Sequence, residues 1–425
     1  MNSDRVSRRS VLAAAGTGLG VSVAGCSGGG GGSDGDTIKI GVLEDRSGNF
    51  SLVGTPKWRA SKLAIEEINE DGGIMGKQIE LLDPDPQSDN QRYQQLTERL
   101  IQQEEVDALW AGYSSATREA IRPIIDREDQ LYFYTTQYEG GVADENVFCM
   151  GPTARQQLGS VVPYMIENFG TDIYTIAADY NFGQLSADWV KVIAQENGAS
   201  VNNEEFIPLS NQNFGSTISN IQEADPDFVM AILVGNNHSS FWNQRTSAGL
   251  DIPMGTSTVM AQGYQHKRLD APALKDVYGG FNYMEEIPTD RNEDYVSRYY
   301  DRWPDAGYAN EESVNNYFSI YLYKQAVEEA GTTDQAAVRD VLESGMEVTG
   351  DQSPEGDISL QGPVHHMTHN MRVMKCDAEH NITVEDERMI PEQFLSETVG
   401  IDLSGEDDGM EQQFTPTDYY DAAGE

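Results

Sequence analysis

The chain has 425 residues, 38% of them hydrophobic, with 70 Asp and Glu against 28 Lys and Arg for a formal charge of −42. This length accommodates two or three domains with sizeable cores, and so acidic a surface repels phosphate backbones and excludes nucleic acid as a partner. The acidic residues recur throughout, which suits a protein kept hydrated in high salt, where self-repulsion is screened. A halophilic source predicts unfolding on dialysis into low salt, and unchanged stability would count against it.

The amino terminus reads as a targeting segment. Ser7-Arg8-Arg9-Ser10-Val11-Leu12 is a twin-arginine pattern, an apolar run follows to Val23, and Val23-Ala24-Gly25-Cys26 has the form of a lipobox. Residues 1–26 are thus expected to be a lipoprotein signal, with the lipid on Cys26 and a flexible Gly/Ser/Asp tether over 27–36. The apolar run is too short for an ordinary membrane span. A lipid anchor, a leash and a soluble body place the folded part outside the cell membrane, in contact with it only through the anchor.

The body begins with a strand over Thr37–Leu43, a turn at Ser47-Gly48-Asn49 and a helix over Trp58–Asn69, stopped by Asp71-Gly72-Gly73. A strand over Gln78–Leu82 and a helix capped by Ser88 or Asp89 and running to Gln103 come next. Val106–Trp110, a helix over Thr117–Arg127 and Leu131–Thr135 continue the alternation. The rhythm restarts after Asn146–Met150. Helices are expected over Gln156–Asn168, up to Asn197-Gly198, over Thr217–Gln222 and over Asn236–Ala248. The intervening strands are Ile173–Ala178, Val201–Ile207, Phe228–Val234, Ile252–Ser257 and Val277–Tyr283. Helices over Glu293–Trp303, Ser313–Ala330 and Asp334–Leu342 precede a strand-like, hydrophilic stretch from Asp357 to Val384. Residues 401–425 are acidic and polar and read as disordered. Two successive βα series imply an α/β protein with parallel sheets. Neither carries a dinucleotide or phosphate-loop fingerprint, and no cofactor is expected.

The stretch from Trp110 to Gly140 holds the candidate site. A strand ends in Gly112-Tyr113-Ser114-Ser115 and passes into a helix, an N-cap pattern that leaves unpaired N–H groups above the strand tip. The next strand ends in Tyr134-Thr135-Thr136-Gln137-Tyr138. Both tips lie at the carboxyl edge of a parallel sheet, where α/β proteins bind ligands. The result is a floor of hydroxyls, aromatics and backbone donors.

Further motifs extend the pattern: Gly41-Val42-Leu43, Ala64-Ile65-Glu66-Glu67-Ile68-Asn69, Gly72-Gly73-Ile74-Met75-Gly76-Lys77, Asp83-Pro84-Asp85, Tyr113 to Arg118, Gln137-Tyr138-Glu139-Gly140, Asp179-Tyr180-Asn181-Phe182, Tyr321 to Ala326 and Ser353-Pro354-Glu355-Gly356. In their order, from about Ile38 to Val373, the chain resembles the extracytoplasmic solute-binding proteins of the type I periplasmic fold, in their urea and short-chain amide branch, near the branched-chain amino acid binding proteins. That resemblance implies two doubly wound lobes joined by three hinge crossings, near Phe148–Thr153, Gly280–Tyr283 and Glu347–Pro354. Lobe 1 would take 37–150 with 284–346, and lobe 2 would take 151–280 with 355–400. It further implies an ABC importer with permease subunits as partners, and no enzyme activity. The implied ligand contacts are Tyr113, Ser114, Ser115, Tyr134 and Thr136 in lobe 1, with Tyr180 and Phe182 in lobe 2. An amide suits them: hydroxyls both donate and accept, and rings supply flat walls. The urea-type pattern has an acidic cluster where this chain has Met260-Ala261-Gln262, and often an aspartate where it has Asn236-Asn237. The missing carboxylates weigh against urea itself and against an amino acid ammonium, with Asp179 left as a possible ammonium partner. A small, neutral, polar ligand is the expectation, and a branched-chain or other amino acid is the alternative.

A sensor of the same fold is a further alternative, against which the lipobox argues. Metal binding by His365, His366 and His369, or by an Asp83, Asp85 and Asp89 loop, is the less favoured reading of those residues. Cys149 and Cys376 could pair outside the cell, or remain as free buried thiols.

Overall fold

The computed structural model describes residues 37–234, 237–405 and 413–424. The signal and tether, Cys26, Gly235, Asn236, the side chains of Asn237 and His238, and residues 406–412 within the GEDDGMEQQ stretch lie outside the described residues.

The first βα series comprises β1 (Thr37–Leu43), α1 (Ser51–Glu70), β2 (Gln78–Leu82), α2 (Asn90–Gln102), β3 (Ala108–Ala111), α3 (Ser115–Glu128), β4 (Tyr132–Tyr134) and β5 (Val147–Cys149). The second comprises α4 (Ala154–Phe169), β6 (Asp172–Ala178), α5 (Asn181–Glu196), β7 (Ser200–Ile207), α6 (Gly215–Ala224), β8 (Phe228–Ile232), α7 (Asn237–Ala248), β9 (Met254–Thr256), α8 (Gln265–Arg268) and β10 (Val277–Phe281). Then come α9 (Asp290–Arg302), α10 (Glu311–Ala330), α11 (Gln335–Glu343), β11 (Met346–Val348), β12 (Ile358–Gln361), β13 (His366–Cys376) and β14 (Ile382–Ile390).

The strands follow the order β2-β1-β3-β4-β5-β13-β10-β9-β8-β6-β7. Within β2-β1-β3-β4-β5 and within β10-β9-β8-β6-β7 the pairings are parallel, both runs repeating one doubly wound order of second strand, first, third, fourth, fifth, whereas β11–β12, β12–β13 and β13–β14 pair antiparallel. The inner strands β3, β4, β5 and β8 are buried along their whole length, as a parallel sheet covered on both faces requires. Helices α9 and α10 return to pack on α1, whereas α4 packs on β9, β10 and α5. The chain therefore passes from the first half to the second between β5 and α4, and back between β10 and α9.

The third connection differs from expectation. It falls on β13 rather than on Glu347–Pro354: β13 runs parallel to β5 at His366–Cys149 and antiparallel to β10 from Phe281–Arg372 to Val277–Cys376. A long strand shared by both sheets satisfies its backbone groups on each side, which a short loop could not do. Its length also answers the cysteine question. Cys149 and Cys376 stand at opposite ends of an 11-residue strand, about 33 Å apart at the rise of an extended chain, and both are free and buried.

Two local differences have clear causes. Helix α1 starts at Ser51 rather than Trp58 and includes Gly54 and Pro56. Gly54 is a helix breaker by propensity, but a Cβ there would lie 2.3 Å from the Asp45 carbonyl, so the contact with the loop after β1 demands it. The tail departs more. Residues 413–424 are packed rather than disordered: the Phe414 N–H donates to Gly141 O at 2.9 Å, Gln413 Nε2 donates to Gly140 O at 2.7 Å, and the Tyr420 ring lies edge-on to Trp189 of α5 at 5.7 Å. Aromatic anchors outweigh the acidic composition there.

Candidate functional site

The site is assembled at the carboxyl ends of β3, β4, β6, β8 and β9. After β3 the chain turns at Gly112, whose φ of +87° is open to glycine and strained for residues with a Cβ. Ser114 then caps α3, its hydroxyl accepting from Thr117 N–H at 3.2 Å, which leaves Tyr113, Ser114 and Ser115 along the helix start. After β4 come Thr136 and Gln137. On the other side Tyr180 and Phe182 open α5, Val234 follows β8 and Gln262 follows β9.

These elements bring all of the expected contacts together. Tyr113, Ser114, Ser115, Tyr134, Thr136, Tyr180 and Phe182 line one cavity with Gln137, Val234 and Gln262, and it measures about 20 Å³, room for one or two waters. Larger hollows of about 280 and 300 Å³ lie elsewhere, one beside α4, α5 and β14, the other beside α9. Among the described residues the cavity lining contains no charged side chain. Asp179 is exposed, accepts from Gln184 Nε2 at 3.1 Å and does not line it, so it offers no counter-charge there. Two lining amides each have a buried polar atom without a partner, Oε1 of Gln137 and Nε2 of Gln262. Buried polar atoms of this kind are costly unless a ligand or water satisfies them.

Behind the first-half wall stands a layer of buried charge that composition and motif reading missed. The Ser115 hydroxyl donates to Glu139 Oε2 at 2.8 Å. Arg118 Nη2 lies 3.4 Å from Glu139 Oε1, and its guanidinium sits 4.9 Å from the centre of the Tyr134 ring. From the second half, Asn181 Nδ2 donates to Glu139 Oε1 at 2.6 Å and Trp189 Nε1 to Glu139 O at 2.8 Å. Lys57 Nζ donates to Gly112 O at 2.8 Å and to Thr136 Oγ1 at 2.9 Å, and pairs with Glu44 at 3.0 Å with both side chains fully buried.

Glu311 and Glu312 begin α10 close by. Glu311 accepts from Gln157 Nε2 and from Asn282 N–H, both at 3.2 Å. Glu312 accepts from Asn310 Nδ2 at 2.9 Å. Burial pushes Glu44 and Glu312 up to about 7, and burial followed by the neighbouring Glu312 raises Glu311 well above the usual carboxylate range. Burial raises the Tyr180 hydroxyl too, with the Glu139 carboxylate adding to it. The signals for this layer were slight: Glu139 within the Gln137–Gly140 motif, a lone Lys57 beside apolar helix positions, and an Asn-Glu-Glu helix start.

The histidines do not converge. His365 faces Glu343 at 3.3 Å, His366 faces the Val364 carbonyl, and His369 faces Glu355 at 3.0 Å. Asp83 accepts from Trp58 Nε1, Asp85 from Ser47, and Asp89 caps α2. Among the described residues no cluster of His, Cys, Asp or Glu is placed to hold a metal ion.

A family model described as periplasmic binding protein matches residues 37–381. Among curated proteins, the Leu/Ile/Val-binding protein homolog 7 of Brucella abortus (strain 2308) is 24% identical over 333 residues, covering 72% of this chain and 80% of the relative. Its homolog 8 is 28% identical over 228 residues, 50% of this chain and 55% of the relative. Among solved structures, a solute binding protein of an ABC transporter from Rhodopseudomonas palustris BisB5, in complex with 3,4-dihydroxybenzoic acid, superposes with a TM-score of 0.74 at 18% identity, covering 84% of this chain and 98% of that one. The branched-chain amino acid transporter substrate binding protein of Streptococcus pneumoniae, in complex with isoleucine, gives 0.70 at 18% identity, covering 83% and 99%. These likenesses establish the α/β type I periplasmic binding protein fold.

Proposed function

The chain belongs to the periplasmic binding protein family, and we propose that it is the extracytoplasmic solute-capturing component of an ABC importer, taking a small, neutral, polar ligand such as urea or a short-chain amide. The observation that carries this reading is the uncharged lining. An amino acid brings an ammonium and a carboxylate, and an aromatic acid brings a carboxylate; each is costly to desolvate without an opposite charge at contact. A neutral amide asks only for donors, acceptors and flat faces, which the hydroxyls, the orphan glutamine atoms and the rings of Tyr113, Tyr134, Tyr180 and Phe182 provide. The contacts proposed are Tyr113, Ser114, Ser115, Tyr134 and Thr136 from one lobe with Tyr180 and Phe182 from the other.

Capture proceeds by closure. The two walls leave room for only one or two waters, so entry requires the lobes, 37–150 with 284–346 and 151–280 with 355–400, to part. The ligand then bridges both walls and shifts the population toward the closed form, which docks on permease subunits. Family members are solute-binding proteins rather than enzymes, and no bond is made or broken in this scheme. Among the described residues no helix is long and apolar enough to cross a membrane; attachment is assigned to a lipid on Cys26, and a Cys26→Ser variant should leave the membrane fraction.

The runner-up is a branched-chain amino acid, favoured by the names of the Brucella relatives and by the isoleucine in the Streptococcus structure. Calorimetry with urea, acetamide and leucine decides. Binding of either neutral compound with no heat from leucine supports the proposal, and the reverse result rejects it.

A further inference from the structure

We infer that Glu139, which does not line the cavity, fixes the hydrogen-bonding sense of Ser115, so that the site selects a ligand presenting an N–H to Ser115, while Thr136, one of whose lone pairs is taken by Lys57, has its proton available for the ligand's carbonyl oxygen. The inference rests on the neutral-ligand reading above and deepens it to an orientation and a functional group.

A hydroxyl has one proton to give and two lone pairs to receive. Ser115 spends its proton on Glu139 Oε2 at 2.8 Å. A carboxylate has none to return, and this one is held as an acceptor by Arg118 Nη2 at 3.4 Å and Asn181 Nδ2 at 2.6 Å. What Ser115 has left for the cavity is lone pairs, and it can only accept.

Thr136 is biased the other way. Lys57 Nζ donates to its oxygen at 2.9 Å, and an ammonium has no lone pair with which to accept. The Thr136 proton is aimed at Gly112 O, 3.3 Å away, a long contact to a carbonyl that already takes the Lys57 proton at 2.8 Å. That proton is available to a stronger acceptor in the cavity. Turning the Ser115 proton into the cavity would strip the buried Glu139 carboxylate of a hydrogen bond, and an unsatisfied buried charge is among the costliest defects in a protein; Thr136 is less tightly held, because Lys57 takes only one of its two lone pairs. Tyr134 follows the pattern: its hydroxyl donates to Tyr113 O at 2.9 Å, so it too has only lone pairs left. The buried Arg118–Glu139 pair thus writes an acceptor onto a wall that carries no charge of its own, and the Lys57–Glu44 pair biases Thr136 toward donation beside it.

Urea, acetamide and acetone test this directly. They share one planar shape and one carbonyl, and differ in replacing NH2 by CH3 once and then twice. Calorimetric titration of the intact protein should show acetone binding about tenfold or more weaker than acetamide, the value of one well-made hydrogen bond. Ser115→Ala should bring the acetamide-to-acetone ratio toward one. Glu139→Gln should do the same, because its amide can donate to Ser115 and free the serine proton; a merely structural role for Glu139 would weaken both compounds equally and leave the ratio unchanged. Thr136→Val should weaken urea and acetamide alike, since all three compounds keep the carbonyl. If Glu139→Gln does not fold, the ratios for the unaltered protein and Ser115→Ala still decide. Equal affinity for acetamide and acetone in the unaltered protein overturns this inference while leaving the neutral-ligand reading standing. Failure of all three to bind removes both.

Discussion

The two walls of the cavity are built on the same strand-end geometry but are held in different ways. In the first half, Ser115, Thr136 and Tyr134 are each tied to a fixed partner: Glu139, Lys57 and the Tyr113 carbonyl. In the second half, Tyr180 sits at the N-cap of α5 without a side-chain capping bond, and its ring lies 6.1 Å from that of Phe182 with a 35° tilt. The first wall is preorganised by buried charge, so a ligand meets donors and acceptors already oriented and little rotamer entropy is lost on contact. The second supplies ring faces that tolerate small changes in approach, together with the unpartnered Nε2 of Gln262. Chemical choice thus belongs mainly to the first wall, with Gln262 as the second wall's polar contribution, and the rings of the second wall enclose.

The comparison is broken most severely by removing the cation behind the first wall. Lys57→Met leaves Glu44 buried without its partner, and breaking such a pair costs about 3–5 kcal/mol. Thermal unfolding checks this, and a loss below about 1 kcal/mol would show that the pair does not brace the wall. Next is pH. Burial holds Glu44 and Glu312 at about 7, above the 4.5 of an exposed glutamate, so the folded chain binds protons more readily than the unfolded one. The stability they contribute is complete below about 4.5 and is lost as pH rises through about 7. The melting temperature should fall across that window, and Glu312→Gln should flatten the fall; an unaltered slope would mean that this carboxylate does not titrate there. Third, Tyr180→Ala should weaken ligand binding by about 1–3 kcal/mol without unfolding the chain, read by calorimetry beside a melt.

Much of this asymmetry was hidden from the sequence, for a definite reason. Period and capping are local, so the strands, the Ser114 cap and the placement of Tyr113, Ser115 and Thr136 at strand ends could be read from neighbours in the chain, while Tyr180 rests on the family resemblance. What lies behind them is tertiary. Lys57 reaches Thr136 across the fold from α1, and Glu139 meets Asn181 from the other half, pairings that no spacing announces. The same limit explains the third crossing, where β13 bonds to β5 and β10 together. The tail failed differently: an acidic run masked Phe414, Tyr419 and Tyr420, whose rings pack near Phe394 and Trp189.

The smallest expected effect sharpens the contrast most. If the second wall acts through its faces, its hydroxyl should be nearly dispensable. Among the described residues, the only hydrogen bonds of Tyr180 are through its backbone: its N–H donates to Ala178 O and its carbonyl accepts from Gln184. Burial and the Glu139 carboxylate keep the phenol protonated far above neutral pH, so no charge is lost with it. Tyr180→Phe should therefore change affinity by less than about 0.5 kcal/mol, against the 1–3 kcal/mol expected for truncation to alanine, because the ring surface is kept. A loss as large as that of Tyr180→Ala would place a ligand hydrogen bond on the Tyr180 hydroxyl and show that the ring does not act through its face alone.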